Sequence, residues 1–506
     1  MRRVDEDFRS LPLPELADAA LTRARELGAE HADLRVERVR DSMVQLRDAR
    51  LTSAGEDLDS GLAVRVVVDG TWGFAAGTAL TTDEAADLAV RAVELARVSR
   101  PLSTERVELA DEPVHAGQEW VSSYVTDPFD VPDAEVAGRL ETWSRGLLDA
   151  GVTHVDAGFR AVKEQKFYAD LAGTSTTQQR VRVQPEVTVV LVDERGMETM
   201  RTIAPPVGRG WEYVAGTAAE GAWGWDAELA ELPDLVREKL AAPSVEAGRY
   251  DLVVDPSNLW LTIHESVGHA TELDRALGYE AAYAGTSFAT LDQLGTLRYG
   301  SDLMHVTGDR TVDHGLATVG YDDEGVATQQ WDIVRDGVLV GYQLDRRMAR
   351  MHGLGDPPGR SNGCAFADSP SHVPVQRMAN VSLQPDPGGP VLDGVLAGVE
   401  RGIYVVGDKS WSIDMQRYNF QFTGQRFYRI ENGRLAGMLK DVAYQATTTD
   451  FWRSMSVVGG PSTYVLGGAF NCGKAQPGQV AAVSHGCPVA RFDGVRILNT
   501  VQEAGK

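Results

Sequence analysis

RYDLVVDPSNLWLTIHESVGHATELDR, residues 249 to 275, decides how the chain is read. Its apolar opening, closed by an Asp-Pro turn, predicts a strand. Pro256 then starts a helix that carries His264, Glu265 and His269. The pattern is HExxxH, one residue longer than the common zinc-protease HExxH. Two imidazoles can hold a metal, and a carboxylate beside the first can act as general base toward water that the metal activates. The longer spacing needs a physical account. At about 100° per residue, positions i and i+4 lie roughly 40° apart and i and i+5 roughly 140° apart. A regular helix would therefore turn the two histidines to different faces. A π-bulge adds a residue to one turn and brings them back together, and such bulges occur often at functional sites. Gly268, just before the second histidine, tolerates such a distortion. Two histidines also fall near a glutamate by chance, so a third ligand has to be found.

The glycine-rich segment YVLGGAFNCGKAQPGQ, residues 464 to 479, contains Cys472, whose thiolate would close a His/His/Cys site with one position left open. Cys487 in SHGCPVA is a competing ligand and Cys364 in SNGCAFA another. A small buried cysteine is the ordinary alternative for each. Residue type alone leaves the three open.

Outward from the motif, the chain of 506 residues is long enough for two or three domains, and 43% hydrophobic with 24% charged residues describes a soluble globular protein. A formal charge of −24 argues against a nucleic-acid surface and against docking on anionic membranes. No secretory signal and no membrane-spanning run is legible, and three sparse cysteines suit a reducing cytosol, so a cytoplasmic location is expected. Helical periodicity predicts helices over 14–28, 81–100, 134–150 and 226–240. Alternating stretches between them, such as GLAVRVVVDG with its Asp-Gly turn signal, predict a mostly antiparallel sheet. The small-residue stretch 241–248 reads as a linker. Beyond residue 300 the chain has dense turn signals and short strands, with one further helix expected over 342–352. The expected fold is α+β in two domains: an N-terminal α/β domain (1–243), with helices packed on the sheet, and a C-terminal β-rich domain (244–506) carrying the HExxxH helix.

Six blocks occur in an order that resembles the TldD/PmbA family: HESVGHATE (264–272), YDDEGVATQ (321–329), DGVLVGYQLDRRMAR (336–350), PVQRMANVSLQP (374–385), IENGRLAG (430–437) and NCGKAQPGQ (471–479). The HExxxH histidines, absent from the PmbA or TldE type, make the chain similar to the TldD type. The resemblance implies a zinc-dependent peptidase with ligands His264, His269 and Cys472, and Glu265 as catalytic base. It also implies unfolded or extended peptides as substrates, and a dimer, either of identical chains or with a TldE/PmbA-like subunit. Two stretches depart from the family pattern: the region around SNGCAFADSP (361–370), and GDKSWSIDMQRYNFQFTGQ (407–425). Three further residues are candidates for supporting the ligands or gripping substrate. Glu272 is placed to accept from a ligand imidazole, His485 to donate to an oxyanion, and Arg377 to hold a substrate backbone or carboxylate. Their ordinary alternatives are a solvated helix residue, a turn or core histidine, and a structural ion pair. The rival functions are a catalytically silent scaffold or peptide-binding modulator, a non-haem iron centre, and a cysteine hydrolase built on Cys487 and His485.

Overall fold

Residues 31–201 build one large sheet because their apolar runs alternate and short turns join its first three strands in chain order and its last three. Its strands are β1 (His31–Arg47), β2 (Arg50–Val68), β3 (Thr71–Gly77), β4 (Gln118–Val121), β5 (His154–Asp170), β6 (Ser175–Asp193) and β7 (Gly196–Arg201). The coordinates are a computed structural model and describe residues 3–503. The order is β3-β2-β1-β5-β6-β4, with β7 also on β6, and only the β4–β6 pairing is parallel. The Asp69-Gly70 signal closes the β2–β3 hairpin with both residues at positive φ, the backbone a two-residue hairpin turn needs.

Helices cover one face of this sheet in two groups. Leu13–Glu26 and Thr82–Ser99 bury Leu16, Leu88 and Val93 against Leu34 and Val64. The Thr81 side chain caps the second of them by accepting from the Glu84 N–H at 3.2 Å. Asp133–Asp149 and Trp225–Ala241 bury Trp143, Leu147 and Trp225 against Phe159 and Val187.

After Ala241 the chain enters a second sheet at β8 (Gly248–Val254). β8 lies between Arg401–Ile413, which runs parallel to it, and Ala490–Asn499, which runs antiparallel. Strands Asn419–Glu431, Arg434–Leu439, Val442–Thr447 and Met455–Val458 complete that sheet. Its core closes around the motif segment: Trp260, Ile263 and Val267 pack with Phe422, Tyr444, Trp452 and Phe492. A two-stranded ribbon, Val465–Lys474 with Gln479–Cys487, lies against the same segment. The fold is α+β in two domains.

The helix expected over 342–352 is shorter, Arg346–His352. Residues 342–345 are extended because the Gln343 N–H donates to the Thr271 carbonyl at 3.0 Å, and Asp345 serves as the cap, accepting from the Met348 N–H at 2.7 Å. The stretch that reads in sequence as the start of that helix is thus a strut under the end of the motif.

Candidate metal centre

Asp255 accepts the Ser257 N–H at 2.9 Å and starts a helix, Pro256–Ile263, that widens into a π-turn over His264–Gly268 and tightens to 3₁₀ over His269–Thr271. The expected extra residue sits in the motif itself. The wide turn brings the two rings together, with centroids 4.7 Å apart and planes at 75°. Gly268 serves a purpose other than the expected one. Its backbone is ordinary right-handed helix (φ −53°, ψ −60°), so no glycine freedom is required there. A Cβ at that position would lie 2.6 Å from Met378 Sδ and 3.5 Å from His485 Cε1, so the glycine makes room for the residues packed on the turn.

One donor atom from each of His264, His269 and Cys472 lies within 4.8 Å of the others, and all three side chains are buried. Cys472 is on strand Val465–Lys474 just past a register shift, with Sγ 3.6 Å from His269 Nε2. The hydrogen bonds assign the imidazole tautomers. His485 Nδ1 donates to the Val381 carbonyl at 2.8 Å, so its Nε2 is a lone pair, which accepts from His264 Nδ1 at 2.7 Å. His269 Nδ1 donates to Glu272 Oε2 at 2.9 Å. Both motif imidazoles therefore keep Nε2 unprotonated. Burial lowers the pKa of each and keeps it neutral, and burial and His264 do the same, more strongly, for His485. Burial opposes ionisation of Cys472, but His269 in its cationic form and Arg377 outweigh it and hold the thiol below its ordinary value, and the Arg377 charge remains when His269 is neutral.

The other candidates form the shell around these donors. Burial opposes ionisation of Glu272, yet Lys474, Arg275 and His269 overcome it and hold its carboxyl well below the usual range. Arg275 Nε is 3.1 Å and Lys474 Nζ 3.2 Å from its two oxygens. Both ring nitrogens of His485 are engaged, which leaves no N–H for a substrate oxyanion. Arg377 has no carboxylate within ion-pair distance among the described residues; its Nη2 donates to the Cys472 carbonyl, and its Nε and Nη1 are buried without a partner. Glu265 is buried, and its Oε2 accepts from Arg417 Nη1 at 2.8 Å. The remaining cysteines lie outside the cluster. Burial pushes Cys364 up to about 12 and Cys487 well above its ordinary value, and the Cys487 thiol faces the Pro256 carbonyl at 3.6 Å. No thiolate is available there for the hydrolase pairing with His485.

The model of the PmbA/TldA metallopeptidase C-terminal domain matches residues 247–499, half of the chain, and that of domain 1 matches residues 32–96. The chain belongs to the PmbA/TldD metallopeptidase family. It is 27% identical over 475 residues to a metalloprotease of Methanothermobacter thermautotrophicus, covering 93% of this chain and 96% of that one. It is 24% identical over 488 residues to a zinc metalloprotease TldD homolog of Saccharolobus solfataricus, covering 94% and 98%. In fold it resembles the crystal structure of TldE from Thermococcus kodakarensis, with a TM-score of 0.69, 15% identity, and coverage of 94% and 98%.

For a PmbA/TldD metallopeptidase the donor set fits a metal: two neutral imidazole lone pairs and one depressed thiol converge in a buried site. Sequence reasoning missed Lys474, Arg275 and Arg417. Lys474 had a signal, since it lies two residues after Cys472 on the same strand face. Arg275, three residues after Glu272, had a weaker one. Arg417 had none.

Proposed function

We propose that the chain is a zinc-dependent peptidase of the HExxxH-bearing TldD type, with zinc held by His264, His269 and Cys472. The observation that carries this reading is the convergence of those three donors from distant points of the chain. Two nitrogens and a thiolate suit zinc, whereas non-haem iron takes a carboxylate as its usual third ligand. When bound, zinc supplies Lewis acidity toward water and a peptide carbonyl. Glu265 moves the proton. Arg417 holds Oε2, while Oε1 has no hydrogen bond among the described residues and takes the proton from the attacking water, then returns it to the leaving amine. Glu272 and His485 keep the two imidazoles oriented, and Arg377 holds the backbone of Cys472.

An unfolded or extended peptide is the substrate that the surroundings favour. Strand Val465–Lys474 pairs on one side only, and its residues Gly467 to Asn471 line a cleft of about 240 Å³ whose other wall is Gln184 to Glu186 and Arg201 to Pro206. A peptide added along that edge would gain main-chain hydrogen bonds without a tight sequence requirement and run toward Cys472. The family resemblance supports a dimer, either of identical chains or with a TldE/PmbA-like subunit. No helix among the described residues is long and apolar enough to cross a membrane. Three free, buried cysteines suit a cytoplasmic protein.

The test pairs metal analysis with one variant. The purified protein should hold about one zinc per chain, as a single site of three protein ligands requires, and cleave an unfolded polypeptide. Glu265→Gln should keep the zinc and lose turnover. Undiminished cleavage by that variant would sink the assignment, and a chain that takes up no zinc would point to the scaffold.

A further inference from the structure

The turn closing the hairpin of Arg401–Ile413 and Asn419–Glu431 lies in one of the two stretches that depart from the family pattern, yet it is built to aim one side chain. Asp414 accepts the backbone N–H groups of Gln416, Tyr418 and Asn419 at 2.8–3.1 Å, fixing the turn. Arg417 sits in it at φ +62°, a conformation that a long side chain adopts at a cost and that recurs where geometry serves function. Its carbonyl accepts from Thr448 Oγ1 at 2.7 Å. The turn is also paired to a second segment: the Thr286 and Phe288 N–H groups donate to the Met415 and Gln416 carbonyls at 2.7 and 2.9 Å. A Cβ at Gly285 would lie 2.1 Å from the Met415 carbonyl oxygen, so only glycine allows that approach. From this support the guanidinium reaches inward, with Nη2 on the Ala284 carbonyl at 3.1 Å and Nη1 on Glu265 Oε2 at 2.8 Å.

Arg417 is the sole hydrogen-bond partner of the Glu265 side chain among the described residues. A glutamate has three side-chain torsions, and a free one samples several rotamers. Held by one oxygen, it presents the other in one place. We propose that Arg417 is a positioning residue for Glu265: the hairpin turn delivers it to fix the carboxylate so that Oε1 faces the reacting water. The proposal rests on the peptidase reading for its consequence, but not for its geometry.

The experiment compares wild type, Arg417→Gln and Arg417→Lys in their zinc-loaded forms, using a fluorogenic extended peptide. The expected result for Arg417→Gln is a kcat lower on the order of 100-fold, the scale of a catalytic group displaced by about an ångström, with KM and zinc per chain unchanged. Arg417→Lys, which keeps the charge but loses the fork, should recover part of kcat. Crystal structures of the three proteins give a readout independent of turnover: Glu265 in one conformer in wild type and Arg417→Lys, and displaced or in several conformers in Arg417→Gln. An unchanged or raised kcat would overturn the proposal, since Arg417 would then be idle or a restraint on Glu265. Zinc loss, or failure of both variants to fold, would overturn it in favour of a structural role. A wild type that binds zinc and cleaves nothing would instead refute the peptidase reading, and the position of Glu265 would still decide this one.

Discussion

At the scale of single residues, the candidate centre depends on proton placement as much as on ligand identity. A histidine donates a lone pair from Nε2 only if its proton stays on Nδ1, and each motif histidine has a partner that holds it there. For His269 the partner is an anion, Glu272, itself kept ionised by Lys474 and Arg275. For His264 it is a neutral ring, His485, whose own tautomer is set by the Val381 carbonyl. The two supports should therefore respond differently to substitution. His485→Phe keeps a ring of similar size in a space stacked on Trp260 but removes the acceptor, and should weaken zinc affinity on the order of 10- to 100-fold. His485→Gln, which can still accept from His264, should lose less. Chelator competition measures both, and equal losses would show that packing, not the acceptor, is what His485 supplies.

At the scale of elements, the spacing of two histidines announces the π-turn, because one extra residue in a helix has one economical solution. The glycine within it reads differently in sequence and in structure. Sequence suggests backbone freedom; the structure shows right-handed φ and a crowded Cβ position. Gly268→Ala should cost about 1–3 kcal/mol, because buried Met378 has to move out of a packed site. With Met378 shortened to Ala the clash is gone, and the same change should gain about 0.5–1 kcal/mol from helix propensity. A double-mutant cycle in urea reads that sign reversal, and additivity of the two changes would refute the packing account. The same contrast explains what else was legible. Periodicity, caps and the Asp-Gly turn announce themselves locally, so the first sheet and its helices could be read. Residues that meet across the fold do not: His485 lies 221 positions from His264, and Arg417 152 from Glu265. Each appears in sequence as an isolated polar residue in a glycine-rich or turn-rich stretch. Cys472 was readable only through the family resemblance, since nothing local separates it from Cys487.

At the scale of the whole molecule, the face of the first sheet opposite its helices meets the second domain through buried charge. Lys166 Nζ donates to Asp323 at 2.8 Å and to the Ala367 carbonyl at 2.7 Å; Arg180, held by Glu164 of the neighbouring strand at 2.8–3.0 Å, donates to the Leu316 carbonyl at 3.2 Å; Arg65 bridges Asp33 and Glu324. Such contacts lock orientation more than they stabilise, because each ion has lost its water. Glu37 shows the cost. It is fully buried on β1, and burial, opposed by Lys166 and Arg35 and reinforced by Glu164, pushes its carboxyl up to about 7 from an ordinary value of 4.5. The folded protein thus keeps a proton that the unfolded chain releases near 4.5. The stability this contributes is fully present below about 4.5 and is lost as pH rises through about 7, up to about 3 kcal/mol. Glu37→Gln mimics the protonated form and removes that dependence. Its melting temperature should match wild type at pH 4 and exceed it at pH 8, because above about 4.5 the unfolded wild-type chain gains by releasing a proton that the fold retains, and the variant has no such proton to release. A gain of equal size at both pH values would mean that the amide improves packing or hydrogen bonding. A loss at pH 8 would mean that the ionised Glu37, paired with Lys166 and Arg35, holds the two domains together more strongly than its burial opposes.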